Sequence, residues 1–173
     1  ITITFNALPT VLLADGQKFC EGETFELSAT VNGAQTFEWY RNNGLISNET
    51  TNKIEITLDG LYRLVAISEF GCRGIDETLV NAIAAPVVQL GNNAMKCEGD
   101  KVILDAGPDG STYQWFKDGS LINNATLQTY EVVQSGTYRV VVTNSDLCMT
   151  NDEVTLSFFA SPIVNDFPTL INI

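Results

Sequence analysis

The feature that most constrains this chain is an internal repeat of about 76 residues. Several short motifs recur at a nearly constant distance, first at 77 positions (97 − 20) and then at 76 (113 − 37). The matched segments, first copy against second, are 20–23 and 97–100, 37–41 and 113–117, 60–63 and 136–139, and Cys72 and Cys148. A fixed period of this length predicts consecutive copies of one small structural unit.

Three prolines mark equivalent positions in the repeat. Pro9, Pro86 and Pro162 each follow a strand-like segment and stand 77 (86 − 9) and 76 (162 − 86) residues apart. Short connections marked by proline are typical of domain boundaries. We therefore predict two complete repeats with a partial repeat on each side: 1–8 (last strand of a preceding repeat), 9–85, 86–161 and 162–173 (first strand of a following repeat). On this interpretation the chain is part of a longer array.

Apolar and polar residues alternate along much of each copy. Phe25, Leu27 and Ala29 are separated by polar residues, and the second copy repeats the pattern 77 positions on. A period of two indicates strands with one face on a core. Turn-forming clusters of Asn, Asp and Gly separate these segments, for example at 41–44 and 107–110. Many short strands with frequent turns predict an all-β fold in which each repeat is a two-sheet sandwich.

Four aromatic residues occupy the positions of a sandwich core. Trp39 and Trp115 lie in aromatic-rich strands, and Tyr62 and Tyr138 each follow a Gly-x pair at the start of a later strand. In the immunoglobulin layout these are the core tryptophan of strand C and the tyrosine that opens strand F. We predict tandem immunoglobulin-like β-sandwiches in an end-to-end array, with these four residues in the cores. The alternative role for either tryptophan is stacking against a sugar.

The composition argues against several kinds of function. The chain has no histidine, which removes the commonest general base, so we expect no catalytic residue and no enzyme activity. Nine basic and 21 acidic residues give a net charge of -12, which repels phosphate backbones and predicts no binding to nucleic acid. No apolar run approaches the roughly 18 residues of a membrane helix, so we expect no direct membrane insertion.

The motifs resemble a known group of repeats. The second copy reads Cys-Glu-Gly-Asp-x-Val-x-Leu-Asp-Ala-Gly at 97–107, Tyr-Gln-Trp-Phe-Lys-Asp-Gly at 113–119 and Ser-Gly-Thr-Tyr-Arg-Val at 135–140. Across essentially the whole chain, this pattern is similar to Ig-like and PKD-like repeats of Bacteroidetes cell-surface proteins. The Ig-like branch fits better, because the Trp-x-Phe-Gly-Asp-Gly stretch of PKD domains is missing. The resemblance implies type IX secretion and display as surface filaments in gliding-motility adhesins, or use as spacers in secreted enzymes.

Each copy carries two cysteines, which in an exported domain predicts disulfide bonds. We expect Cys20, Cys72, Cys97 and Cys148 to be disulfide-bonded, and two pairings stay open. The first closes each repeat, through Cys20–Cys72 and Cys97–Cys148. The second joins neighbouring repeats through Cys20–Cys148 and leaves the other two cysteines to repeats outside this chain. The immunoglobulin layout disfavours the first, because it puts the two cysteines of a copy at opposite ends of strands about 23 Å long.

Oxygen-bearing side chains are the remaining candidates for a site. The acidic residues of predicted turns could bind Ca²⁺, the one cofactor we keep open, although the sequence has no Asp-x-Asp-x-Asp-Gly loop and Asp is also a common turn former. These residues are Asp105, Asp109, Asp118, Asp146, Asp152 and Glu153. Residues 48–50 and 124–126 match the glycosylation sequon, which we interpret as accidental in a bacterial protein.

These features lead to two hypotheses for function. The first is a non-catalytic structural and adhesive segment of a large bacterial adhesin, which spaces a binding region from the cell surface. Its partners would be neighbouring repeats, surface glycans or other cell-surface proteins. The alternative is an accessory or carbohydrate-binding module of a secreted hydrolase, which would need exposed aromatic side chains in a row. Both hypotheses place the chain outside the cell.

Overall fold

The alternating segments form β-strands in a computed structural model of the protein, which describes residues 5–160. The first copy contains β1 Thr10–Leu13, β2 Gln17–Cys20, β3 Phe25–Asn32, β4 Thr36–Arg41, β5 Gly44–Ile46, β6 Lys53–Ile56, β7 Gly60–Ile67 and β8 Arg73–Ile83. The second contains β9 Ala94–Cys97, β10 Val102–Asp105, β11 Thr112–Lys117, β12 Ser120–Leu121, β13 Thr129–Val132, β14 Gly136–Thr143 and β15 Met149–Phe159. Among the described residues there is no helix that could span a membrane.

The chain divides between Ala85 and Pro86 into two compact units, here called unit 1 and unit 2. Residues 1–4 and 161–173 lie outside the described residues. The partial repeats predicted at 1–8 and 162–173 therefore stay predictions. The described part of the first of these segments, residues 5–8, forms no strand.

Unit 1 consists of two sheets. One has the order β1-β3-β6, and the other has the order β2-β8-β7-β4-β5. All neighbours are antiparallel except β2, which runs parallel to β8. The first edge strand is thus split: β1 pairs with one sheet, and β2 crosses to the other. This is the sheet arrangement of an immunoglobulin-like sandwich.

Unit 2 follows the same plan with a simpler first strand. Its sheets have the orders β10-β13 and β12-β11-β14-β15-β9, with β9 parallel to β15. No strand forms in residues 86–93, so the counterpart of β1 is missing from this unit. The prediction of an all-β, immunoglobulin-like fold is confirmed.

Each unit has its own apolar core between its sheets. The alternation along β3, β7 and β14 directs every second side chain inward, which produces the buried and exposed pattern of these strands. Burying one large apolar side chain contributes about 1.5–3 kcal/mol, so a core of this size is enough to hold a small sandwich together. The buried residues of unit 1 include Leu13, Phe19, Leu27, Trp39, Ile54, Ile56, Tyr62, Leu64 and Val80. Those of unit 2 include Leu104, Tyr113, Trp115, Val132, Tyr138, Val140, Val142, Val154 and Leu156.

Candidate functional site

The two tryptophans lie at the centres of the cores. Trp39 and Trp115 are both 0% exposed. Each indole Nε1 donates a hydrogen bond of 2.9 Å to a backbone carbonyl, that of Thr51 in unit 1 and that of Leu127 in unit 2. A ring with no exposed face offers no surface for sugar stacking. The alternative role considered for these residues is therefore wrong.

The two tyrosines have the same arrangement in both units. Tyr62 and Tyr138 are buried, and their hydroxyls donate to the carbonyls of Leu58 (2.7 Å) and Gln134 (3.0 Å), four residues earlier in each case. Burial raises the pKa of both phenols above its usual value. A neutral hydroxyl with a local carbonyl partner holds the loop before β7 or β14 in place. The arrangement is structural rather than catalytic.

Asp105 and Asp118, two of the candidate calcium ligands, already accept hydrogen bonds from other groups of the protein. The pKa of Asp105 is lowered by hydrogen bonds from Gln128 and the backbone N–H of Gly107, and that of Asp118 by Lys117 and the N–H of Thr137. No group of three or more Cys, Asp or Glu residues that could hold a metal ion occurs in residues 5–160.

Asp152 and Glu153 are not turn residues. Both lie inside β15, so the prediction that placed them in a turn is wrong. An Asp152 oxygen accepts the backbone N–H of Leu90 at 2.8 Å, and Asp76 does the same for Leu13 in unit 1. These carboxylates anchor the incoming chain to the start of the last strand. The recurrence of Asp76 at position 152 was the one sequence signal for this role.

The strand register separates the two cysteines of unit 1. Cys20 ends β2, where it is paired in register with Ile83 of β8. Cys72 directly precedes β8, so 11 residues (83 − 72) of nearly continuous strand separate Cys72 from Ile83, the residue opposite Cys20. Eleven residues of strand span roughly 36 Å, whereas the Cα atoms of a disulfide lie about 4.4–6.8 Å apart. Cys20 and Cys72 therefore cannot bond within this fold.

The same separation recurs in unit 2. Cys97 is paired in register with Phe159 of β15, and Cys148 directly precedes that strand. The offset is again 11 residues (159 − 148), or roughly 36 Å. The pairing that closes each repeat is therefore wrong for both units, because the strand register holds its partners at opposite ends.

The oxidation states of the cysteines agree with this geometry. Cys20 and Cys148 are disulfide-bonded, whereas Cys72 and Cys97 are free thiols. The register thus keeps Cys72 from Cys20 and Cys97 from Cys148. That Cys72 and Cys97 form disulfides with repeats outside this chain stays a prediction. Cys148 is buried, and Cys97 is exposed.

Both sequons lie in exposed turns. Asn48 follows β5 and Asn124 follows β12, and each has a positive φ (69° and 64°). Asparagine tolerates this left-handed conformation better than most residues. Turn geometry is thus a sufficient reason for asparagine at both positions.

Comparison with solved structures gives the following similarities. An eight-domain Ig fragment of Down Syndrome Cell Adhesion Molecule is 14% identical with a TM-score of 0.49, over 88% of this chain and 24% of that one. Titin domains Z1Z2 in complex with telethonin are 18% identical with a TM-score of 0.40, over 92% and 100%. The Ig1–2 module of the Drosophila receptor protein tyrosine phosphatase DLAR is 14% identical with a TM-score of 0.41, over 88% and 100%. No protein-family model and no curated protein sequence matches this chain.

Proposed function

We propose that this chain is a non-catalytic structural and adhesive segment of a large bacterial cell-surface adhesin, in which each unit adds length between the cell and a binding region. The resemblance of the repeat motifs to Bacteroidetes surface proteins supports export by type IX secretion and a place in a gliding-motility-type surface filament. The partners of such a segment are neighbouring repeats, with surface glycans or other cell-surface proteins bound elsewhere in the array.

The observation that carries this proposal is the path of the chain through each unit. In unit 1 the incoming Pro9 packs against Gly74, where an added Cβ would collide with the Pro9 carbonyl. Gly74 is the second residue of β8, and the chain leaves after Ile83 at the other end of that strand. In unit 2, Leu90 is bonded to Asp152 near the start of β15, and that strand ends at Phe159.

Entry and exit at opposite ends make a unit suitable as a spacer. The last strand of each unit has 11 residues, so each passage advances the chain by roughly 36 Å. A repeat with entry and exit side by side would add mass without adding reach. The net charge of -12 suits such a segment, since it keeps an extended surface protein soluble and disfavours self-association.

A unit exchange in the full-length gene of the source cell tests the spacer role. Replacing residues 86–161 by a second copy of residues 9–85 lengthens the chain by only one residue (77 against 76) and keeps two cysteines in the unit, and we expect surface adhesion to be unchanged. Deleting residues 86–161 shortens the array, and we expect adhesion to fall. If the exchanged protein loses adhesion while remaining on the surface, unit 2 carries a specific binding site and the spacer role is wrong.

Protease accessibility on intact cells tests the location. We expect the segment to be digested by added protease when type IX secretion is active, and protected when that system is inactivated. Strong binding of the purified segment on a glycan array would favour the carbohydrate-binding module instead. The large aromatic side chains that are most exposed in the described residues, Phe5, Phe70 and Phe159, lie in different segments of the chain and form no row along one strand.

A further inference from the structure

We propose that the outer edge of β13 in unit 2 is a docking site for an extended segment of another polypeptide, which adds a strand to the sheet of β10 and β13. The site consists of backbone groups on the unpaired side of β13 and of a groove beside them. The inference goes beyond the proposed function, because a spacer needs no such site. It is tested on the purified chain, without a measurement of adhesion.

The strand register shows which backbone groups of β13 face away from its partner. β13 pairs with β10 on one side, and within residues 5–160 no strand pairs with its other side. The Gln128 carbonyl accepts the N–H of Ala106 at 3.0 Å, so the backbone of Gln128 faces β10. Because backbone groups alternate in direction along an antiparallel strand, Thr129 and Glu131 direct their N–H and C=O groups away from β10.

Unit 1 covers the same edge with a side chain. The hydroxyl of Thr51 donates to the Lys53 carbonyl at 2.7 Å and accepts the Lys53 N–H at 3.4 Å. Lys53 is the first residue of β6 and corresponds to Thr129 of β13 (53 + 76). The outward backbone groups at the start of β6 therefore already have a partner. Covering an edge is one way in which proteins prevent pairing with foreign strands.

Unit 2 lacks this cover. The residue that corresponds to Thr51 is Leu127 (51 + 76), and each of the two accepts the indole N–H of its tryptophan at 2.9 Å through its backbone carbonyl. Leucine has no hydroxyl and cannot bond to the backbone of Thr129 in the same way. The Leu127 side chain is instead 72% exposed. Within the described residues, the edge that unit 1 covers is thus open to another strand in unit 2.

A groove opens at this edge. Its lining includes the apolar side chains of Ile122 and Leu127, together with Tyr130. Tyr130 is partly buried and packs against Trp115 with ring centroids 5.5 Å apart, which fixes this wall of the groove. In an antiparallel pair, residues opposite each other point to the same face of the sheet. The side chain opposite Tyr130 in an added strand therefore points into the groove, where an apolar residue fits best.

Charge decides between a second copy of this chain and a different polypeptide. The net charge of -12 opposes association of two copies. Thr129 and Glu131 are exposed on the face opposite to Tyr130, and the Glu131 side chain stays 50% exposed in its ion pair with Lys101. A basic residue opposite Glu131 makes a favourable cross-strand pair. The expected partner is therefore an extended segment in which basic and apolar residues alternate.

Binding of a peptide to the full chain tests the site. The probe is a short fluorescein-labelled peptide in which lysine and valine alternate, and the control is the same peptide with N-methylated lysines. N-methylation keeps the charge but removes the N–H groups that would bond to Thr129 and Glu131. By fluorescence anisotropy we expect saturable binding of the probe, at least tenfold tighter than that of the control. Equal binding of both peptides, or binding of neither, overturns the proposal.

Leu127→Thr tests the location, because it introduces the residue that covers the edge in unit 1. We expect the Kd of the lysine–valine peptide to rise at least tenfold. The urea midpoint should stay the same, since the side chain at 127 is exposed and the carbonyl that binds Trp115 is kept. The control Leu79→Thr alters an exposed leucine of unit 1 and should leave the Kd unchanged. A Kd that Leu127→Thr does not change overturns the proposal.

Sedimentation of the chain without peptide tests the choice of occupant. We expect a monomer at all concentrations used for the binding measurements, because the charge of each copy repels the other. A dimer that Leu127→Thr dissociates would identify a second copy as the occupant of the edge and overturn the proposal of a different polypeptide.

Discussion

At the scale of single residues, the cores of this protein depend on aromatic side chains that carry a polar group. Trp115 and Tyr138 bury their rings and still satisfy their N–H and O–H groups on nearby carbonyls. Tyr130 packs beside both rings, with centroid distances of 5.5 Å to Trp115 and 6.0 Å to Tyr138. Such pairs add to the stabilisation from burial. These hydrogen bonds matter because a buried donor without a partner lowers the free energy of unfolding.

Removing the Tyr138 hydroxyl tests how much one such buried hydrogen bond contributes to stability. We expect Tyr138→Phe to lower the free energy of unfolding by about 1 kcal/mol, because the bond to the Gln134 carbonyl is lost while the buried ring is kept. Urea unfolding followed by tryptophan fluorescence measures the change. Tyr40→Phe is the control, since its hydroxyl bonds to Glu38 on a partly exposed face and should contribute less. Equal stability of Tyr138→Phe and the native chain would contradict the structural role.

At the scale of elements, the hairpin after the tryptophan strand shows how two sequences reach one geometry. β4 and β5 are joined by Asn42 and Asn43 with φ of 48° and 70°, and β11 and β12 by Asp118 and Gly119 with φ of 49° and 79°. Two consecutive positive φ values are typical of a type I′ turn, whose twist matches the strands that it joins. The first side chain of each turn also accepts a backbone N–H from the neighbouring strand, that of Leu61 or Thr137.

The two turns provide a matched pair of substitutions. We expect Gly119→Ala to destabilise unit 2 by about 1–2 kcal/mol, because a φ of 79° is a left-handed conformation that is strained for alanine. Asn43→Gly, at the corresponding position of unit 1, should be neutral or slightly stabilising. Thermal unfolding of both variants measures the difference. A loss on Asn43→Gly as large as that on Gly119→Ala would contradict the turn assignment.

At the scale of the whole molecule, the two units share one fold but differ in charge at two equivalent positions, where unit 2 has aspartates and unit 1 has neutral residues. The pKa of Asp105 is lowered by Gln128 and by a backbone N–H, and that of Asp118 by Lys117 and by a backbone N–H. The corresponding residues of unit 1 are Ser28 (105 − 77) and Asn42 (118 − 76), which do not titrate. Asp118 and Asn42 therefore support the same turn with an ionised and a neutral group, and Asp105 has no ionised counterpart in unit 1.

This difference predicts an unequal response to acid. Because the folded-state pKa values of Asp105 and Asp118 lie below the usual 3.8, these groups stabilise unit 2 above that pH, and the contribution is lost as pH falls through the lower folded values. We expect the urea midpoint of unit 2 to fall between about pH 4 and about pH 2.5 more than that of unit 1. A variant that keeps only Trp39 reports the unfolding of unit 1, and a variant that keeps only Trp115 reports the unfolding of unit 2. The double variant Asp105→Asn and Asp118→Asn should remove the difference, and an unchanged difference would contradict it.

Much of the fold could be predicted from the sequence because its signals are local and occur twice. Alternation around Leu27 and Tyr62 indicates strands, and the recurring tryptophan and tyrosine indicate an immunoglobulin-like core. The candidate site was harder to predict from the sequence. The role of Asp152 depends on which backbone N–H lies opposite it across 62 residues of sequence, and its recurrence alone did not distinguish an anchor from a calcium ligand.

The sequence by itself determined the repeat, the all-β class and the presence of two cysteines in each copy, because periodicity and residue type are properties of short segments. The tertiary structure alone decided which cysteines cannot meet. The pairing within each repeat is excluded by the parallel register of β2 on β8 and of β9 on β15, a contact between distant segments. That register places Cys20 and Cys72, and likewise Cys97 and Cys148, at opposite ends of one long strand, where no disulfide could join them.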